Sequence, residues 1–291
     1  DVHLDTETGG YAWTIRDGVP EDGTNHCYGQ AFVLLAYSHA LMAGVGEARD
    51  WMEEIWSLLE ARFWEAGHGL YRDEADADWN FSGYRGQNAN MHMCEAMLAA
   101  YEASGDTRWL DRALLLASNM TRRQAAQSGG LVWEHYDSDW NVDWNYNLHD
   151  PKHLFRPWGF QPGHQAEWAK LLLILDRHVA TEWLAPMACH LFESAMARAW
   201  DTERGGLYYG FAPESRRQPG MDGAPIGGDL PSERMFVCDD DKYFWVQAES
   251  LAAAALLGAR FDERKYWDWY AHLWAYSWAH MVDHEHGAWY R

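Results

Sequence analysis

A short motif of glycine followed by aromatic residues recurs along the chain, and this repeat limits the possible folds more than any other feature. The spacings are 59, 61, 76 and 81 residues when the motifs are marked by Gly10, Gly69, Gly130, Gly206 and Gly287. Each motif predicts a glycine turn that leads into a short aromatic strand. Such internal periodicity is typical of a fold built from repeated units.

Two kinds of helical pattern alternate between the motifs. One kind is apolar nearly all round and covers residues 28–43, 88–103, 162–175 and 243–257. The other kind is amphipathic and rich in Trp, and covers residues 48–63, 108–124, 182–200 and 264–282. Helices that are apolar on all sides are buried, whereas amphipathic helices face water on one side. The alternation therefore predicts an all-α fold, an (α/α) toroid of helical hairpins with short β-hairpin loops.

The number of helices bears on the domain organisation. Eight predicted helices make four hairpins, whereas a closed (α/α)6 barrel has six. The sequence begins at Asp1 without Met and stops at Arg291 directly after a motif. Four hairpins alone would leave apolar inner surfaces of the ring exposed. We therefore expect residues 1–291 to form a single barrel domain that lacks parts of the ring at both ends.

Two repeats carry extra loops, over residues 137–161 and 213–240. The second loop is rich in Pro and Gly, so we expect a long irregular lid there.

Composition excludes several classes of partner. The formal net charge is −21, which repels phosphate backbones and anionic lipid surfaces, so we expect neither nucleic acid nor membrane partners. No apolar run approaches the length that crosses a bilayer. The four cysteines lie far apart without a CxxC pair, which argues against a zinc site and a disulfide framework and favours a reducing, cytoplasmic location. Whether the protein forms a homo-oligomer is left open.

Polar and aromatic side chains gather at the start of each inner helix. Pairs that are three or four residues apart share one helix face. In a toroid the inner helices run in the same sense, so these side chains would converge at one mouth and form the default candidate site. The candidates are Tyr28 with Gln30, Asn88 with His92 and Glu95, His164 with Glu167, and Trp245 with Glu249.

His164 is the sharpest of these signals. Pro162 suits the first turn of a helix, which places His164 near the helix N-terminus. The positive end of the helix dipole would lower the pKa of the imidazole and leave it neutral, as a general base requires. Glu167, one turn later, could hold the ring by a hydrogen bond. The alternative is a capping or core histidine with a structural partner.

Other polar residues have weaker signals. His92 follows a polar run and suits a role in binding a substrate hydroxyl or in proton transfer, against the alternative of a satisfied core histidine. Arg156 lies just before the His164 helix and could reach a substrate oxygen. Residues 239–241, a run of three Asp, are interpreted as a solvated run and helix cap, with cation binding as the minority interpretation. We find no convincing metal or nucleotide signature.

At these residues the sequence resembles the N-acylglucosamine 2-epimerase superfamily, and within it the bacterial aldose–ketose isomerases that act on mannose or sulfoquinovose. The resemblance covers nearly the whole chain. It rests on Tyr84-Arg85-Gly86-Gln87-Asn88-Ala89-Asn90-Met91-His92, Glu134-His135-Tyr136-Asp137-Ser138, Pro162-Gly163-His164-Gln165-Ala166-Glu167-Trp168, Trp245 with Glu249, and Asp283 to Trp289.

The resemblance implies an (α/α)6 barrel that needs no metal or redox cofactor. It implies that two histidines move a proton between C1 and C2 of an open-chain monosaccharide through a cis-enediol. His164 matches the first of these histidines and Glu167 matches its partner. Substrate-pocket positions are matched by Tyr28, Asn88, His92, Arg156, Trp245 and Glu249. The second histidine and an early substrate-binding Arg are expected beyond the two ends of this sequence.

Four functions remain open at this point. The leading one is interconversion of D-mannose, or a close relative, and D-fructose. A second is 2-epimerisation of N-acylglucosamine or cellobiose on the same barrel. A third is glycoside hydrolysis by two carboxylates drawn from Glu95, Glu167 and Glu249. The fourth is sugar or protein binding without turnover.

Overall fold

The computed structural model describes residues 2–6, 8–226 and 234–290. The chain forms two compact units. The first unit contains the described residues of Asp1–Gln127 and His135–Asp143, and the second contains those of Ser128–Glu134 and Trp144–Arg291. The single domain expected from the sequence stays a prediction.

The first unit has two pairs of helices joined by short strands. Its helices are α1 (Cys27–Met42), α2 (Ala48–Leu58), α3 (Gln87–Ser104) and α4 (Thr107–Ser118). Its strands are β1 (Thr14–Arg16), β2 (Val19–Asp22), β3 (Asn25–His26), β4 (Trp64–Glu65), β5 (Leu70–Tyr71), β6 (Glu74–Ala75), β7 (Arg85–Gly86) and β8 (His135–Tyr136). They pair antiparallel as β1 with β2, β3 with β6, β4 with β5 and β7 with β8. Both α2 and α4 end in a π-helical turn, over Leu59–Phe63 and Asn119–Gln124, which the sequence pattern does not reveal.

The second unit repeats this plan with longer loops. Its helices are α5 (Pro162–His178), α6 (Leu184–Ala199), α7 (Phe244–Phe261) and α8 (Arg264–His280). Its strands β9 (Gly210–Pro213) and β10 (Met235–Asp239) pair antiparallel. The irregular lid expected over residues 213–240 is therefore wrong for its flanks, because an apolar run from Met235 to Val237 completes a buried strand. Residues 227–233 of that loop lie outside the described residues.

The predicted alternation of inner and outer helices is confirmed within each unit. The inner helices α1 and α3 pack against each other, as do α5 and α7, while α2, α4, α6 and α8 each pack on an inner helix that precedes them. Small and apolar side chains let α3 and α5 bury most of their circumference. Among the described residues, no helix has the length and hydropathy needed to cross a membrane.

The expectation that every inner helix is buried all round is wrong for α1. Its buried residues are confined to Cys27, Gln30, Ala31, Leu34 and Ser38. Phe32 and Met42 are 40% and 44% exposed, because the helix packs on α2 and α3 over only part of its circumference.

The glycine motifs form a recurrent turn. In the turn that follows α6, the Asp201 backbone N–H donates to the Gly206 carbonyl and the Gly205 N–H donates to the Asp201 carbonyl. Gly205 has a φ of +76°, a left-handed conformation that disfavours side chains. The same pair of hydrogen bonds links Asp5 with Gly9 and Gly10, and Asp283 with Gly287 and Ala288. The glycine turn expected from the sequence is confirmed at these positions.

A buried side-chain amide fastens three of the aromatic segments to an inner helix. Asn90, Gln165 and Gln247 each stand fourth in their helix, in α3, α5 and α7. Each amide accepts from the backbone N–H and donates to the carbonyl of one residue, at 2.8–3.1 Å, and the bound residues are Tyr71, Val132 and Leu207. We call these contacts the amide clamps. At Val132 the clamp stands in place of the expected strand, because Leu131 to Trp133 has no strand partner among the described residues.

Candidate active site

His164 lies in the first turn of α5, where the sequence predicts it. Pro162 occupies the start of the helix, where its missing N–H is not needed. Gly163 lets the Trp245 side chain approach, since a Cβ at this glycine would lie 2.5 Å from the indole ring. The His164 and Trp245 ring centroids are consequently 5.1 Å apart, with planes inclined by 35°. The sequence-predicted neighbours His164 and Trp245 are thus brought together.

The His164 ring is held by a carboxylate that the site prediction did not include. His164 Nδ1 lies 2.9 Å from Glu134 Oε2, and Glu134 is buried. A carboxylate can only accept, so Nδ1 carries the proton and donates it to Glu134. The expectation that Glu167 holds the ring is wrong. The missed signal is that Glu134 comes two residues after Val132, so both residues face α5 if the segment is extended.

The charge around His164 reverses the expected pKa shift. Burial of the ring lowers its pKa, but the carboxylate of Glu134, and then those of Glu167 and Glu249, outweigh burial and raise the pKa above its ordinary value of 6.5. The prediction of a pKa lowered by the helix dipole is therefore wrong. Three nearby carboxylates outweigh the partial charge of a helix end, which is equivalent to about half an elementary charge.

Glu167 and Glu249 share a lysine on α5. Lys170 Nζ lies 2.7 Å from Glu249 Oε2 and 3.8 Å from Glu167 Oε1. All three side chains are largely buried, and the lysine joins α5 to α7. Lys170 was missed in the sequence because a lone lysine in an apolar helix resembles a surface residue. Glu167 and Glu249 thus lie near His164, but both pair with the ammonium group of Lys170.

Tyrosines complete the aromatic surroundings of Trp245. The ring of Tyr209 lies 5.8 Å from that of Trp245 and 4.4 Å from that of Tyr243. Burial, together with the nearby Glu134 charge, raises the pKa of Tyr209 well above its usual range, so its hydroxyl stays protonated. Tyr209 comes two residues after the clamped Leu207, as Glu134 comes two residues after the clamped Val132.

Arg156 lies in the loop between residues 144 and 160. Its guanidinium donates to the Tyr146 hydroxyl at 3.0 Å, and its carbonyl accepts from the Asn147 amide at 2.8 Å. The sugar-binding role of Arg156 stays a prediction.

The three remaining predicted residues lie in the first unit. The ring of His92, on α3, lies 5.0 Å from that of Tyr28, on α1, and His92 Nδ1 lies 3.2 Å from Glu95. Asn88 is one turn before His92 on the same face, and its side-chain oxygen is buried with no hydrogen-bond partner among the described residues. The structure thus brings Tyr28 and His92 into contact.

The three aspartates at 239–241 all pair with the side chain of one lysine, Lys152. Lys152 Nζ lies 3.3, 2.7 and 3.3 Å from the carboxylates of Asp239, Asp240 and Asp241. Asp239 is buried at the end of β10, so the expectation of a fully solvated run is wrong there. The lysine neutralises part of the charge that a cation would otherwise meet.

Comparison with known proteins identifies the family. The sequence matches the N-acylglucosamine 2-epimerase (GlcNAc 2-epimerase) family over residues 1–291. It is 54% identical to the D-mannose isomerase of Marinomonas mediterranea over 288 residues, which are 98% of this chain and 68% of that protein. It is 35% identical to the D-mannose isomerase of Thermobifida fusca over 277 residues, or 94% of this chain and 63% of that protein.

A crystal structure of a D-mannose isomerase shares the fold. The two structures superpose with a TM-score of 0.90 at 52% sequence identity, and the superposition covers 99% of this chain and 69% of the solved chain. This chain therefore spans about two thirds of the length of these relatives. The prediction of an all-α fold of the (α/α)6 barrel class is confirmed by this match. The chain belongs to the N-acylglucosamine 2-epimerase family.

Proposed function

We propose that this protein is an aldose–ketose isomerase that interconverts D-mannose and D-fructose, with His164 as a proton carrier. The observation that supports this most directly is the imidazole at the start of α5, which is 14% exposed and has one nitrogen on a carboxylate and a tryptophan beside the ring. Similarity to the D-mannose isomerases supplies the substrate class.

The reaction moves one hydrogen between neighbouring carbons. Neutral His164 takes the proton from C2 of the open-chain aldose, and the electrons of that C–H bond form the C1–C2 double bond of an enediol while the C1 oxygen gains a proton. Return of the proton from the imidazolium to C1, with loss of the C2 hydroxyl proton, gives the ketose. The carboxylates that raise the pKa of His164 make the ring a stronger base and stabilise the imidazolium.

Other parts of the proposal follow from the resemblance. We propose sugar-binding roles for Tyr28, Asn88, His92, Arg156, Trp245 and Glu249, and a supporting role for Glu167. Trp245 offers a flat apolar ring that suits the C–H face of a sugar. The proposed mechanism uses no metal or redox cofactor, and we propose a monosaccharide substrate and a cytoplasmic location.

The test is NMR of D-mannose incubated with the protein in D2O. We expect fructose to form with deuterium incorporated next to the carbonyl, and we expect His164→Ala to lose this activity by at least about 100-fold, the smallest usual contribution of a general acid–base group. His272→Ala, which removes an exposed histidine on α8, is the matched control and should keep the activity.

Products other than fructose would reject the isomerase and indicate a different activity. Accumulation of deuterated glucose without fructose would indicate a 2-epimerase. Release of reducing sugar from a mannoside would indicate a hydrolase. A fully active His164→Ala, or no reaction of the wild-type protein with mannose, would also reject the assignment.

A further inference from the structure

Glu134 forms the hydrogen bond that determines which His164 nitrogen is available. Within the part of the chain that the structure describes, this is the one hydrogen bond of the His164 ring. We infer that Glu134 is a positioning residue that fixes the His164 ring with Nε2 as the proton-carrying atom. This inference rests on the proposed function, because it assigns a role within the same reaction.

Glu134 is itself fixed by the amide clamp of α5. Gln165 binds the backbone of Val132 at both its N–H and its carbonyl, at 3.0 and 2.8 Å. Two residues later Glu134 reaches His164, the neighbour of Gln165, so the segment and the helix are joined at two successive points. Between them, Trp133 is fully buried and packs on Trp144 and Phe160. The carboxylate is therefore in place before a substrate arrives.

The equivalent residues in other repeats do different work. Asp73 also comes two residues after a clamped residue, Tyr71, but its carboxylate accepts from the backbone N–H of Gly86. Tyr209, two residues after Leu207, presents an aromatic ring to Trp245. Glu134 instead binds the ring of a histidine, which argues that Glu134 serves the reaction and not the fold alone.

The division of labour between the carboxylates follows from their partners. Glu167 and Glu249 share Lys170, so part of their charge is neutralised. Glu134 directs its charge at Nδ1. When Nε2 accepts a proton from the sugar, the ring becomes an imidazolium whose positive charge is stabilised by Glu134, and Glu134 itself takes no proton. Among the described residues, the carboxylates of Glu134, Glu167 and Glu249 act on the charge of the ring, and Lys170 binds the latter two.

The first measurement needs no substrate. Protein labelled with 15N-histidine is titrated by NMR, and the His164 signal is assigned by its loss in His164→Ala. We expect the neutral ring to carry its proton on Nδ1 and to titrate above the ordinary value of 6.5. In Glu134→Gln, which keeps the shape and removes the charge, we expect the His164 titration to move to lower pH. A His164 titration and tautomer that are unchanged in Glu134→Gln would overturn the inference whether or not mannose is the substrate.

The second measurement uses turnover of mannose. Since Glu134 acts through the ring, we expect Glu134→Gln to lower kcat about tenfold or more, with KM little changed and the acidic limb of the pH profile shifted to lower pH. Glu134→Asp keeps the charge at a shorter reach and should recover part of kcat. Glu193→Gln, which removes a carboxylate on the outer helix α6, is the control and should match the wild type.

The outcomes separate the two proposals. A wild-type protein that does not convert mannose, but whose His164 titration responds to Glu134→Gln, would reject the isomerase and keep the positioning role. A wild-type protein that converts mannose, with a Glu134→Gln variant of unchanged kcat and pH profile, would keep the isomerase and reject the positioning role. Circular dichroism of each variant excludes unfolding as the cause of a loss.

Discussion

At the scale of single residues, two largely buried ion pairs in this protein join residues that are far apart in the sequence. His164 and Glu134 are 30 positions apart, and Asp201 and Lys242 are 41 apart. Asp201 ends the α6 repeat with a carboxylate that accepts from Lys242 and from the backbone N–H groups of Glu203 and Arg204. Burial raises the pKa of Asp201, but these donors outweigh it and lower the pKa to about 2.

Replacing Asp201 tests this arrangement. A carboxylate whose pKa is lowered on folding stabilises the protein above its ordinary pKa, and this stability is lost as the pH falls through the lowered value. We expect Asp201→Asn to reduce the free energy of unfolding by about 2 kcal/mol at pH 7. The difference from wild type should stay constant down to about pH 4 and shrink below it. Urea unfolding between pH 3 and 7 measures this.

The control for that series is Asp222→Asn, which removes an exposed carboxylate and should leave stability within about 0.5 kcal/mol of wild type. Equal losses in the two variants would mean that the Asp201 contacts contribute nothing of their own.

Sequence reasoning located His164 but misjudged its electrostatics. Pro162 and the spacing to Glu167 place the histidine in the first helical turn, since both are local signals. The hydrogen bond to Glu134 is not local, because it depends on how the residue 131–134 segment lies beside α5. Only the packed structure brings that carboxylate to Nδ1, and with it the direction of the pKa shift.

At the scale of elements, helices were predicted well and the contacts that align them were not. Apolar periodicity placed α3 and α5 within a few residues of their observed ends. The amide clamps escaped notice because Asn90, Gln165 and Gln247 look like isolated polar residues in apolar helices. Gln30 holds the same fourth position in α1, yet its amide has no hydrogen-bond partner within the described residues, and Tyr11 N–H is bound by Asn25 instead.

Removing one clamp should destabilise the fold. In Gln247→Leu, the buried N–H and carbonyl of Leu207 lose their partners, so we expect a loss of about 2–4 kcal/mol in the free energy of unfolding. Chemical denaturation followed by circular dichroism measures it. Gln218→Leu, at an exposed position, is the matched control. A Gln247→Leu variant as stable as this control would show that the clamp does not support the element pairing.

At the scale of the whole molecule, the charge of −21 bears on how metal content should be interpreted. A surface this acidic gathers divalent cations loosely, so a purified sample can carry metal that has no part in the reaction. The proposed proton transfer needs no Lewis acid, because the base and its supporting charges are side chains.

Removal of metal therefore gives a clear prediction. After exhaustive dialysis against EDTA, we expect mannose turnover to stay within about twofold of the untreated protein. The same assay after addition of Mg²⁺ or Mn²⁺ should give no increase. Loss of turnover on dialysis with recovery on adding one of these ions would contradict a mechanism carried by His164 and its carboxylates.

The amide clamps also make the geometry of the site independent of loop length. The clamped pairs are separated by 19, 33 and 40 residues, yet each ends with the same two hydrogen bonds at the fourth residue of a helix. The chain between the two ends of a clamp can therefore lengthen or shorten without moving the helix start that carries the reactive side chains. Insertions there offer a route by which relatives of one barrel could diverge in substrate range, and by which a designer could exchange loops while leaving the proton-transfer residues in place.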